Sequence, residues 1–205
     1  ALAWSFFVFF LGTALATIHD HFYEFLYGNA LIAYKFTLDI FTIIFIIGAA
    51  MAIYRRYVQK PEGLTLDAGF TWTLSLIVII VLGGLITESL RLAVERPLWS
   101  TWSPAGWSLA QIWLATGATE KILTNWHLGV WIFHLLTVAL TLITLPVGTL
   151  LHALTAPLNI FFSKLDHPMG ALTPTAITDD GEPIFASKPS DLTWKQLLDG
   201  DACTE

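Results

Sequence analysis

Four long stretches of this chain contain no Asp, Glu, Lys or Arg: residues 1–18, 40–54, 68–87 and 122–163. A helix needs about 20 mostly apolar residues to cross the hydrocarbon core of a bilayer. Charges spaced so widely make the chain a set of transmembrane helices. The composition agrees, with only 13% charged residues, where a soluble domain averages about a quarter. Nine Trp and fourteen Phe are more large apolar side chains than a water-soluble core of this size can hold. A disordered chain, a disulfide scaffold and a nucleic-acid binder are all excluded. The single Cys203 cannot form an internal disulfide.

The expected spans are Ala1–Ile18, Ala30–Tyr54, Ala68–Leu90 and Ile122–Leu154, the last interrupted by Pro146. The first is short, and its Ala14-Leu15-Ala16 matches a signal-peptidase pattern, but no basic segment leads into it. Between the third and last spans, Pro97–Thr119 is uncharged and holds Trp99, Trp102, Trp107 and Trp113. Trp prefers the membrane–water interface, so this segment reads as a loop with a short interfacial helix. The fold class expected is an all-α membrane protein: a four-span helical bundle, a short interfacial helix and an extended C-terminal tail.

Arg55, Arg56 and Lys60 follow the second span and place the 55–67 loop on the cytoplasmic side. Four spans then bring the tail out on the same side, as expected in a cell inner membrane. The net charge of −6 is unevenly spread. Residues 1–163 hold eight acids and seven bases, whereas residues 164–205 hold eight acids and three bases. Residues 1–157 are therefore expected to form the membrane domain. Residues 158–205 are expected to form a mostly extended connector, with periodicity returning only at Leu192–Leu198.

His134 and His152 are eighteen residues apart. On one continuous helix that is about five turns and roughly 27 Å, so both rings would share a face, one near each leaflet. His127 precedes His134 by seven residues and faces nearly the same way. Polar groups at such depth face the bundle interior and usually serve a function. Imidazole is a common axial ligand of haem iron, and helix bundles build cofactor sites from facing helices. The alternative is that each ring bonds a carbonyl or anchors the interface. A second ligand to an outer haem is available from His19 or His21. These are two residues apart, so only one can face the bundle. The partner of His152 is expected at or before Ala1.

The segments His134-Leu-Leu-Thr137, Leu145-Pro146-Val147 and Leu151-His152-Ala-Leu-Thr-Ala-Pro157 resemble the last span of the respiratory nitrate reductase gamma subunit, a dihaem b-type cytochrome. A closer resemblance is to membrane-fused iron–sulfur oxidoreductases related to heterodisulfide reductase. It is carried by Phe6–Thr13, Leu38-Asp39, Tyr54-Arg-Arg-Tyr57, Trp102-Ser-Pro104, Leu150–Phe162 and Trp194–Glu205. The resemblance implies haem b, one or two groups, with His134 and His152 as ligands. The gamma subunit has Gly-His where this chain has Gly12-Thr13, and threonine is not an axial ligand; either His19 or His21 replaces it, or the outer haem is ligated differently or absent. The family's Cys-x-x-Cys-Gly-x-Cys motif opens at the position of Cys203, so an iron–sulfur cluster is expected outside these residues.

Lys35 and Asp39 are four apart near the outer end of the second span. They are expected either to neutralise each other or, with His127, to contact a quinone such as menaquinone. Glu88 and Arg91, three apart, are expected to pair. The function expected is electron transfer between a bilayer quinone and cytoplasmic iron–sulfur centres, with an electron-transfer flavoprotein or a thiol–disulfide couple as soluble partner. The rival readings are a membrane anchor without redox groups and a small transporter or proton channel.

Overall fold

The computed structural model describes residues 1–61, 68–147, 151–163, 188 and 192–202. Its elements are all helical among the described residues: α1 (Leu2–His21), α2 (Gly28–Ile53), α3 (Ala68–Glu95), α4 (Pro104–Ala115), α5 (Glu120–Thr144), α6 (His152–Phe161) and α7 (Trp194–Ala202). A π-helical segment, Tyr54–Gln59, prolongs α2, and 3-10 turns occupy Ser100–Trp102 and Leu145–Val147. The helices α1, α2 with its π segment, α3 and α5 are long and apolar enough to cross a membrane. Residues Ala1–Leu142 and Ile143–Glu205 form two separate compact units.

In the first unit, α1 and α2 form an antiparallel pair whose contact is built from small residues. A Cβ on Gly12 would lie 2.5 Å from a Leu38 methyl, and one on Gly48 would lie 3.0 Å from Ala1. Ser5 and Ala49 are buried in the same pair, and Tyr34 donates to the Gly12 carbonyl at 2.9 Å. Lipid tails are as apolar as leucine, so spans associate through close packing and hydrogen bonds rather than hydrophobic burial. The outward surface is correspondingly apolar, with Trp4, Phe10, Met51 and Leu136 each more than 60% exposed.

The largest buried cluster joins α3, α4 and α5 through Leu90, Leu92, Ala93, Ala110 and Leu123. Trp113 of α4 donates to Ser89 of α3 at 2.9 Å and meets Trp126 of α5 edge-on. The Trp-rich loop thus contains the short helix its composition predicts. It begins with Pro104 in the first turn, where a missing N–H costs nothing. It ends before Gly117, whose φ of +71° suits glycine.

The last span differs from its expected length. The α-helix stops at Thr144, because Pro146 cannot donate an intrahelical bond and Leu145–Val147 winds as a 3-10 turn. The five-turn register between His134 and His152 therefore does not hold as an uninterrupted α-helix.

In the second unit, α6 continues through Pro157 and packs on α7. Lys195 bonds Asn159 and Asp199. Thr155 donates to the Asp201 carbonyl at 3.0 Å, and Phe162 meets Trp194 edge-on at 5.3 Å. The connector thus carries a helix where periodicity returns. Residues 164–187, like Cys203, lie outside the described residues. The bond from Lys195 holds the Asp199 carboxyl below its usual range. A depressed carboxyl stabilises above its unfolded value of about 3.9 and loses that contribution as pH falls through its folded value. The protection of the α7 amides, taken as the observed exchange rate against the intrinsic rate at the same pH, should therefore be constant near neutrality and fall only below about pH 4; a loss of protection between pH 6 and 8 would count against this pairing.

Candidate functional site

His134 lies midway along α5 on the face that also presents Thr137 and Thr141. Both threonines are buried, and both donate back to carbonyls of their own helix at 2.9 Å. Opposite them, α3 presents two consecutive glycines. A Cβ on Gly83 would lie 3.1 Å from Nδ1 of His134, and one on Gly84 would lie 3.5 Å from its Cε1. The imidazole therefore rests on bare helix backbone. Its Nδ1 is buried against α3, and the ring interacts with the backbone of Ile80 on that helix. A ring nitrogen held by backbone orients the imidazole and leaves the other nitrogen to serve as a ligand.

The two histidines ending α1 are in opposite chemical states. Nδ1 of His19 accepts from the backbone N–H groups of Phe25 and Leu26 at 2.9 and 3.2 Å. In a neutral ring that puts the proton on Nε2. His19 thereby closes the loop between α1 and α2, its ring edge-on to Phe25 and Tyr27. His21 places Nδ1 3.3 Å from the Thr17 carbonyl, which requires the proton on Nδ1. Its Nε2 then carries a lone pair, the arrangement that metal-bound histidines adopt. Sequence spacing separated the two directions but could not say which ring had which role.

Lys35 and Asp39 do not pair with each other. Lys35 instead reaches across to Glu88 of α3 at 3.3 Å. Glu88 also receives two bonds from Arg91, at 2.8 and 3.0 Å, so the expected Glu88–Arg91 pair is present. Arg91 continues to Glu95, and the cationic ends of Lys35 and Arg91 each lie 5.5 Å from the Trp99 ring centroid. Asp39 is 6% exposed. It accepts from the N–H of Ala105 at 2.5 Å and of Gly106 at 3.0 Å. A carboxylate from α2 thus caps the N-terminus of α4, where unpaired N–H groups and the helix dipole favour negative charge. Gly106 permits the approach, since a Cβ there would lie 3.2 Å from Leu92 and 3.4 Å from Asp39 Oδ1. A cross-chain cap needs tertiary contact and leaves no local signature, so the i,i+4 rule misassigned both residues.

His127 is half-buried on α5, next to Trp126. His152 opens α6 in the second unit and takes part in a side-chain interaction there. Among the described residues, no three His, Cys, Asp or Glu side chains converge as a metal cluster.

Two curated proteins are similar to this chain. The EtfAB:quinone oxidoreductase of Syntrophomonas wolfei is 28% identical over 213 residues, covering 98% of this chain and 29% of that protein. The probable iron-sulfur-binding oxidoreductase FadF of Bacillus subtilis is 30% identical over 179 residues, covering 84% of this chain and 24% of that protein. The chain is a distant relative of oxidoreductases. It spans less than a third of the length of either relative. No protein-family model and no solved structure matches it. The four apolar helices and the similarity over nearly the whole chain agree with a membrane part of such an enzyme.

Proposed function

We propose that this chain is a membrane domain of a quinone-linked oxidoreductase, carrying electrons between a bilayer quinone and cytoplasmic iron–sulfur centres through haem b. The observation that carries the reading is His134: a half-buried imidazole seated on the Gly83–Gly84 backbone, its Nδ1 turned into α3 and its ring held by the Ile80 backbone. The names of the two relatives support the quinone and iron–sulfur ends. An electron-transfer flavoprotein is the soluble partner we propose on the same ground. The inner membrane and a cytoplasmic tail follow from Arg55, Arg56 and Lys60 beside the second span.

His134 on α5 and His152 on α6 are proposed haem ligands, and His21, rather than His19, is the proposed outer partner because its Nε2 lone pair is available. Haem, when bound, supplies a one-electron carrier whose potential is tuned by its ligands and the dry surroundings. The chain's own residues do the rest. Gly83 and Gly84 admit the ring and fix its depth, and on the same face Thr137 and Thr141 donate back to carbonyls of their own helix. Lys35 is the proposed contact for a quinone carbonyl, with His127 as a second candidate; Asp39 is already spent on α4.

A reduced-minus-oxidised absorption spectrum of the purified protein tests the reading. Bands of b-type haem are the expected result, and their absence would remove the proposal in favour of a cofactor-free anchor. Lys35→Ala should slow quinol-dependent haem reduction roughly tenfold, the value of one charge-assisted hydrogen bond. Arg91 still holds Glu88 through two bonds in that variant, so the fold should persist. An unchanged rate would place the quinone contact elsewhere.

A further inference from the structure

A cavity of about 540 Å³ lies between the end of α2 and the start of α3, away from the histidines and from the Glu88 cluster. Tyr54, Arg55, Arg56 and Gln59 supply its polar lining. Met51, Ala52 and Phe70 supply its apolar wall. The polar residues all belong to the π-helical segment Tyr54–Gln59. Its i→i+5 winding brings side chains of neighbouring positions round to one side, and such segments are frequent at functional sites.

The segment is held in place from both helices. The Arg56 guanidinium lies over the Phe70 ring, 3.6 Å from its centroid. Tyr57 donates to the Thr71 hydroxyl at 2.8 Å, and Lys60 turns the chain at a φ of 44°. Two guanidinium groups with a phenol and an amide make a donor set suited to phosphate oxygens. The position, at the end of a membrane-length helix, is the depth of lipid headgroups. The apolar wall continues into the exposed surface of α2, where Met51 is 67% and Ile47 56% exposed.

We propose that this cavity binds the phosphate of an anionic phospholipid, with the acyl chains along the Met51 side of α2. Inorganic phosphate offers the same oxygens without the chains, so the two are separable. Native mass spectrometry of the purified full chain, supplied with phosphatidylglycerol or phosphatidylcholine of equal chain length, tests the site. One retained phosphatidylglycerol is expected, with no comparable retention of phosphatidylcholine. Two arginines at a membrane surface are worth about thirtyfold in affinity, so the R55Q/R56Q variant should lose lipid by about that factor. Because those charges also help set helix orientation, Ala52→Phe provides a second variant: it keeps both arginines, fills the cavity and should lose the lipid equally. Equal retention of the two lipids, full retention by A52F, or displacement of the lipid by millimolar inorganic phosphate would each overturn the proposal.

Discussion

Replacing His134 by leucine should remove the b-type haem signal that depends on it while leaving the apoprotein folded. Leucine keeps most of the volume against Gly83 and Gly84 but removes the ring nitrogens, including the one turned into α3. The helix pair then loses at most the ring's interaction with the Ile80 backbone, about 0.5–1.5 kcal/mol, so a folded apoprotein is expected. Haem content should fall by more than the roughly ten- to hundredfold that loss of an outer-shell partner brings. Gly83→Ala should act in the same direction with the ligand intact, because its Cβ would press on Nδ1 from 3.1 Å. The α1 histidines give a matching contrast. His21→Ala should lose the outer haem. His19→Ala should retain it but leave the Phe25 and Leu26 N–H groups unpaired, a cost of about 1–3 kcal/mol read as a lower unfolding midpoint. Full haem occupancy in the His134→Leu protein would end the assignment.

The spans and the interfacial helix were legible because both depend on local composition. Uncharged runs mark helices that must satisfy their backbone internally in lipid, and the Ser103-Pro104 step with its surrounding tryptophans marks a helix start at the interface. Helix ends were less legible. The stop at Thr144 rests on Pro146, visible in the sequence, but proline in a span can either kink or end a helix. Partners were the least legible. Lys35 and Asp39 have ideal i,i+4 spacing, yet each is drawn to a stronger partner on another helix: Glu88, already fixed by Arg91, and the open N-terminus of α4. Gly83-Gly84 could have been read as a close approach inside a span, since small residues there admit a neighbour. What it admits is known only once α5 is placed beside it.

Asp39→Ala should produce the largest loss of stability of any single substitution among the charged residues. Its carboxylate is almost wholly buried and accepts two N–H groups from the first turn of α4. Ser103, which occupies the cap position, makes no side-chain capping bond of its own and bonds the Asp39 carboxylate instead, so the substitution removes the acceptor on which this end of α4 is built. Removing an N-cap costs about 0.5–2 kcal/mol, and leaving two buried donors without acceptors raises the total to about 2–4 kcal/mol. Asp39→Asn tests the same contact with shape retained. The amide offers one oxygen, and its NH2 meets the second N–H as donor against donor, so most of the loss should remain. Glu does not restore the cap, because the extra methylene must fit where Gly106 already sits close to Oδ1 and Leu92. The measurement is denaturant unfolding in detergent followed by tryptophan fluorescence, since Trp107 and Trp113 ride on α4. Proteolysis within Arg96–Ser103 supplies a second readout, as α4 released from α2 should expose that loop. Equal midpoints and equal cleavage in the Asp39→Ala protein would show that α4 is held by the Leu90–Leu92–Ala110 cluster alone.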